Sequence, residues 1–274
     1  MNPVARQGLA LIEEIDGRRV EPGELCFWWL GQQGYVVKTA RRILYFDPFL
    51  SPHPRRRVPP LLRPEEVTNA DFVFGTHDHR DHIDRPALPL LLAASPGARL
   101  VVPRLPAETL PENGIRPDRI RALDDEGVLE EAGVKVTAIR SAHEFFDYTP
   151  AHGYPYLQYV VEADGVAIHH AGDGLLYDGL ASRLRAWRLT VSFLPVNGRD
   201  GERYARKIRG NLTFQEAVDL AGAVRPRLVV PGHYEMFVDN GEDPQRFAAY
   251  FGAKYPDLAY WIGPHGAAVS VRAD

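Results

Sequence analysis

Thr76-His77-Asp78-His79-Arg80-Asp81-His82 places three imidazoles and a carboxylate within six residues, directly after the apolar run Asp71-Phe72-Val73-Phe74. This is the spacing of metal ligands at the end of a strand. Left unliganded, the imidazoles would depress one another's pKa values and gain no stabilising partner. A bound cation removes that conflict. The fold must therefore deliver a strand end that opens into a metal loop, and further donors have to arrive from elsewhere, because a site for two divalent ions takes about six to eight donors.

Three later residues stand in the same position relative to an apolar strand. His143 follows the run 134–139, Asp173 follows 166–170 in Ala171-Gly172-Asp173, and His233 follows 228–230 in Pro231-Gly232-His233. Their recurrence at strand ends makes them the candidate partners of the 77–82 cluster. His152, His169, His170 and His265 match no ligand spacing and are read as structural or solvent-exposed, while His53 sits on a loop that could reach the site.

Around these positions the chain reads as alternating strands and helices. An amphipathic helix through Leu9, Ile12 and Ile15 ends at Gly17, and short β-rich runs follow at 25–30, 35–38 and 43–46. Six prolines break residues 48–64 into a loop that carries Arg55-Arg56-Arg57, a candidate lid over the site. Further strands are expected at 72–74, 100–102, 134–139, 156–161, 166–169, 191–194, 228–230 and 260–262, with helices near 87–94, 180–187, 214–224 and 244–251. Thr213 and Glu216 have the spacing of a capping box at the third of these helices. Two successive sets of strands, each followed by alternating strand and helix, predict two sheets packed face to face with helices outside, in a single domain over 1–274. Trp28 and Trp29 are neighbours on one strand, so one faces inward and at most the other is free to meet a substrate.

These motifs resemble those of the metallo-β-lactamase superfamily, whose His-x-His-x-Asp-His signature is matched by His77, His79, Asp81 and His82. The resemblance runs from Trp28-Trp29-Leu30-Gly31 to His233 and implies an α/β (α+β) fold, an αββα sandwich of two mixed β-sheets with helices on the outer faces. It implies that His77, His79 and His143 hold one ion, that Asp81, His82 and His233 hold the other, and that Asp173 bridges them. Within the superfamily the chain is most similar to the L-ascorbate-6-phosphate lactonase group, through the Trp28 to Gly31 segment, Thr76-His77-Asp78-His79, Ala171-Gly172-Asp173 and the Asn197-Gly198-Arg199 region.

Two divalent ions about 3.5–4 Å apart can share a water and lower its pKa, so hydrolysis is the expected chemistry. Asp81 suits a double role, as a ligand and as the carboxylate that orients the bridging hydroxide and accepts its proton. All-N/O ligation fits zinc, manganese or iron, and the lactonase likeness raises manganese beside zinc. The segment Asn197-Gly198-Arg199-Asp200 through Arg209 and Asn211 is the densest polar stretch outside the ligands, so Asn197, Arg199 and Arg209 are the candidate substrate residues.

The formal charge of −4 disfavours a broad nucleic-acid face. The one cysteine, Cys26, excludes an intramolecular disulfide and reads as a buried apolar side chain. No run approaches the ~20 apolar residues of a membrane span, and the N-terminus lacks a secretory pattern. The expectation is a cytoplasmic metal-dependent hydrolase that opens a lactone or cleaves an ester of a small anionic substrate, with no nucleic-acid or membrane partner and with homo-oligomer formation left open. A phosphodiesterase or nuclease, and a metal-binding protein without turnover, are the alternatives.

Overall fold

The computed structural model describes residues 2–273. Helix α1 (Leu9–Gly17) precedes the hairpin strands β1 (Glu24–Gly31), β2 (Gly34–Lys38) and β3 (Ile43–Phe46); after the proline-rich loop come β4 (Phe72–Phe74), α2 (Leu88–Ala94), β5 (Arg99–Pro103), α3 (Arg104–Thr109), β6 (Ile120–Leu123), β7 (Val128–Glu131) and β8 (Val134–Arg140). The second half contains β9 (Leu157–Ala163), β10 (Val166–His170), α4 (Leu180–Leu184), β11 (Val191–Pro195), α5 (Gly201–Ala205), α6 (Phe214–Val224), β12 (Leu228–Gly232), α7 (Pro244–Lys254) and β13 (Val269–Arg272). The strands form a seven-stranded sheet, β13-β1-β2-β3-β4-β5-β6, and a six-stranded sheet, β12-β11-β10-β9-β8-β7. Both are mixed: β3 runs parallel to β4 and β10 parallel to β11, beside antiparallel hairpins.

The β1 strand shows why these sheets are sandwiched. Leu25, Phe27 and Trp29 face the core between the sheets, whereas Cys26, Trp28 and Leu30 face a second apolar layer with Leu11 and Ile15 of α1 and Leu88 and Leu91 of α2. A strand apolar on both faces must be covered twice, once by the other sheet and once by helices. On the far side, α4, α6 and α7 cover the second sheet through Leu184, Ala217, Val218, Phe247 and Phe251. The α6 helix opens with the expected capping box, Thr213 Oγ1 accepting from Glu216 N and Glu216 Oε2 accepting from Thr213 N.

Both tryptophans are buried, because the outward face of β1 is roofed by helices, so neither is free to meet a substrate. Two local expectations are corrected. In α1 the buried positions are Leu11, Ile12 and Ile15, and Leu9 faces solvent. Residues 260–262 contribute only an isolated bridge from Tyr260 to Val229, and the last strand is β13, which returns to pair with β1 in the first sheet. Among the described residues no helix is long and apolar enough to cross a membrane.

Strand direction places the site. The β10, β11 and β12 strands are parallel, and β8 shares their direction because β9 runs antiparallel to both β8 and β10. Their C-terminal ends therefore lie along one edge of the second sheet, and Leu157 N donates to Thr76 O, tying the loop after β4 to that edge.

Candidate metal centre

His77 and His79 leave β4 in a tight turn in which His82 N and Ile83 N both donate to His79 O. Such a turn throws His77, His79, Asp81 and His82 to one side. His143 arrives just after β8, Asp173 after β10 and His233 after β12, the last with a left-handed φ of 60°. Gly172 also has a left-handed φ, 55°, and a Cβ there would lie 2.7 Å from Thr76 Oγ1, so only glycine lets Asp173 approach the loop.

The seven side chains converge in two groups, His77, His79, His143 and Asp173, and Asp81, His82 and His233; within each group the donor atoms lie within 4.8 Å of one another. His77 Nε2 is 2.9 Å from His79 Nδ1 and 4.0 Å from Asp173 Oδ2. The other Asp173 oxygen, Oδ1, lies 3.2 Å from His82 Nε2 and 3.3 Å from His233 Nε2. One carboxylate thus offers an oxygen to each group, as a bridging ligand must.

The residues fit divalent ions on their own chemistry. His143 Nδ1 is buried without a hydrogen-bond partner, and His82 Nε2 and Asp173 Oδ1 are buried facing each other and His233, an arrangement that costs free energy unless a cation takes the lone pairs. Burial, helped by the neighbouring His82, pushes His77 well below its ordinary pKa; burial lowers His143 to about 4 against the pull of Asp173. These imidazoles are neutral, with lone pairs available. For His82 burial also opposes the charge, yet the carboxylates of Asp173, Asp81 and Asp47 outweigh it and raise the pKa well above the ordinary value. Burial opposes the Asp173 charge too, and His233 and His82 overcome it and hold Asp173 well below the usual carboxylate range. The centre is built for positive charge.

A supporting layer was not legible as such in the sequence. Asp47, fully buried at the end of β3, accepts from Thr76 N at 2.8 Å and Thr76 Oγ1 at 2.7 Å, and its Oδ2 lies 2.6 Å from His82 Nδ1. A carboxylate on Nδ1 fixes the tautomer that leaves Nε2 to bind metal. Asp84 accepts from Leu50 N, Ser51 N and Ser51 Oγ, fastening the proline-rich loop to the metal loop. Gln32, between β1 and β2, places Nε2 2.7 Å from Asp81 Oδ2 and 2.8 Å from His233 Nε2. The only sequence signal for Asp47 was its place after a strand, ahead of Pro48.

Above the ligands lies a cavity of about 400 Å³ whose lining includes Asp81, Asp173, His233, Arg80, Lys207 and Arg209. Phe49, Phe237 and Ile208 give it apolar walls, and His53 and Arg55 reach it from the proline-rich loop. Arg209 is held between Tyr156 Oη, which accepts at 3.2 Å, and Glu144 Oε2 at 3.4 Å. Asn197 is fully buried beneath the cavity and meets it through Asn240, whose Oδ1 accepts from Asn197 Nδ2 at 2.8 Å. Arg199 does not line the cavity: its guanidinium grips both oxygens of Glu216, at 2.6 and 2.7 Å, and so reinforces the start of α6. Of the arginine run, only Arg55 lines the cavity, paired with Asp239; Arg56 is spent on the carbonyls of Phe49, Ser51 and Val58. His169 and His170 are buried, on Ser192, Gln158 and Gln33 O; His265 stacks on Trp29; His152 faces Glu108.

The family model of the beta-lactamase superfamily domain matches residues 41–234, a span that contains all seven donors, and the chain belongs to this superfamily. Within it the chain falls among the UPF0173 metal-dependent hydrolases: it is 31% identical over 227 residues to the one from Thermococcus onnurineus, covering 82% of this chain and 92% of that protein. The corresponding protein of Methanosarcina mazei is 25% identical over 246 residues, 88% of this chain and 96% of its own. Among solved structures, the metallo hydrolase Igni18 of Ignicoccus hospitalis superposes with a TM-score of 0.73 at 20% identity, over 92% of this chain and all of that one (100%).

Proposed function

We propose that this protein is a hydrolase with a binuclear metal centre that opens a lactone, or cleaves another carboxylic ester, in a small anionic substrate. The observation that carries this reading is the convergence of the seven donors beneath a cavity, with Asp173 offering one oxygen to each group. His77, His79 and His143 would hold one ion, Asp81, His82 and His233 the other, and Asp173 both. Bound there, zinc, manganese or iron supplies Lewis acidity and a water acidic enough to attack a carbonyl carbon near neutral pH.

The protein's own contributions follow from the geometry. Asp81 lines the cavity, and we assign its Oδ1 the role of orienting the attacking water and taking its proton. Phe49, Phe237 and Ile208 keep bulk water from the walls and pack against the carbon skeleton of a substrate. Arg55, Arg80, Lys207 and Arg209 surround the mouth, Arg55 paired with Asp239 and Arg209 with Glu144, and the carboxylates that line the cavity, Asp81 and Asp173, are both at the metal positions. That balance favours an anion. The likeness to ascorbate-6-phosphate lactonases supports the choice of a lactone, and a cavity of this size suits a sugar-sized molecule better than a polymer.

The test is an activity screen of the metal-loaded protein, in manganese and in zinc, across lactones, carboxylic esters, phosphodiesters and sugar phosphates. Lactone or ester turnover is expected, with Arg209→Gln raising KM for an anionic substrate more than for a neutral one. Turnover of phosphodiesters alone would overturn the ester reading, and two bound ions with no turnover at all would identify a binding protein.

A further inference from the structure

Gln32 is 1% exposed, and its side-chain amide points into the metal centre. Its backbone is pinned there: φ is left-handed at 55°, and its carbonyl accepts from both His233 N and Trp29 Nε1 at 3.0 Å. One end of the amide touches two ligands of the second group, Asp81 Oδ2 and His233 Nε2, while the other end, Oε1, is buried with no partner. The amide is therefore held at one end only, and nothing fixes which of its two ends faces the donors.

The contact with His233 decides what this amide is for. His233 Nε2 is the ring nitrogen that faces Asp173 and Asp81, so its lone pair is the one a metal would take. An N–H aimed at that lone pair competes with the metal, but an oxygen beside it does not. Half a turn about the last side-chain torsion exchanges Nε2 for Oε1 and brings an acceptor to the same point.

The spacing is that of neighbouring ligands. With bonds of about 2.1 Å, donors stand roughly 3.4 Å apart around a tetrahedral ion and roughly 3.0 Å apart at right angles. The pairs Asp173–His82, Asp173–His233, Asp81–His82 and Asp81–His233 measure 3.2, 3.3, 3.5 and 3.7 Å, close to the tetrahedral figure. The Gln32 position, at 2.7 and 2.8 Å from two of them, is that of an added ligand at a right angle. We propose that Gln32 is a further ligand of the second metal ion, giving Oε1 to it and raising its coordination number above four. A carboxamide oxygen and a higher coordination number favour manganese or iron(II) over zinc at that position.

The proposal rests on the ligand assignment above and not on the substrate. It is tested with the full chain by titrating Mn²⁺ and following the unbound ion by electron paramagnetic resonance, for wild type, Gln32→Ala and Gln32→Glu. Wild type should bind two equivalents. Gln32→Ala should bind the first equivalent unchanged and the second about 10–100-fold more weakly, with a smaller loss for zinc; Gln32→Glu, which retains an oxygen, should keep the second equivalent tight. A wild-type chain that binds fewer than two ions overturns the ligand assignment together with this proposal. Two ions bound by wild type and by Gln32→Ala with equal affinity would overturn the proposal alone. So would a Gln32→Glu chain as weak as Gln32→Ala, since only the N–H donated to Asp81 would then matter.

Discussion

Asp47→Asn is the substitution that most sharply tests how the centre is held. Asparagine keeps the shape of the side chain and tolerates the left-handed φ of 40° at this position, so the backbone at the end of β3 stays in place. The remaining oxygen can still accept from Thr76 N. The new NH2 faces Thr76 Oγ1 and His82 Nδ1, at distances of 2.7 and 2.6 Å. If His82 keeps Nε2 for the metal, its Nδ1–H then meets another donor at a fully buried position. One buried, charge-assisted hydrogen bond is lost and one donor is left unmet, a combined cost of about 3 kcal/mol. The alternative tautomer removes the clash, but it places a proton on Nε2 and removes the ligand. Either way metal affinity should fall by roughly 100-fold, the upper end of what loss of a carboxylate behind a ligating imidazole costs. Competition with a chelator of known affinity measures this, and the thermal midpoint should respond less to added metal than in wild type. A variant that binds both equivalents within threefold of wild type would show that Asp47 does not set the His82 tautomer.

Gly172→Ala should lower stability by about 3 kcal/mol, because the new Cβ meets the Thr76 side chain and takes a left-handed φ. Calorimetry should show the midpoint falling by roughly 6 °C or more, and an unchanged midpoint would remove the steric account of Asp173 placement. His169 is held to a pKa of about 3 by burial, reinforced by His170, against an ordinary 6.5. The unfolded chain therefore takes the proton first, and the stability from keeping His169 neutral is full above about pH 6.5 and declines as pH falls towards 3. At pH 5 the loss is about 2 kcal/mol, so denaturant titrations at pH 7 and pH 5 should diverge less for His169→Gln than for wild type; equal divergence would refute the assignment. Arg199→Ala should leave KM unchanged and cost less than about 1 kcal/mol of stability, since its bond to Glu216 is partly solvated, whereas a raised KM for anions would return Arg199 to the site.

The sequence by itself pointed to the cluster of donors. His77, His79, Asp81, His82, His143, Asp173 and His233, which the structure brings together, were all legible, because polar donors at strand ends interrupt apolar runs, and a local pattern of that kind needs no knowledge of the fold. Most strand positions and the capping box at Thr213 were legible for the same reason, since they are written within a few neighbouring residues, whereas β6, β7 and β13 were not expected. What depended on distant neighbours was not. Trp28 could be placed on a strand face, but only the tertiary structure showed helices covering that face. The β13 strand could not be assigned to the first sheet, because its partner β1 lies at the other end of the chain. Arg199 and Arg209 looked alike as cations in one polar segment; Glu216, at the start of α6, takes the first, and Tyr156 and Glu144 hold the second at the cavity. Asp47 and Gln32 are an ordinary aspartate and an ordinary glutamine until the first sheet brings His82 and Asp81 within hydrogen-bonding distance of them and the second sheet adds His233 beside Gln32. A ligand announces itself by its residue type and spacing, but the groups that orient it are defined only by where they end up in space, and that is decided by packing.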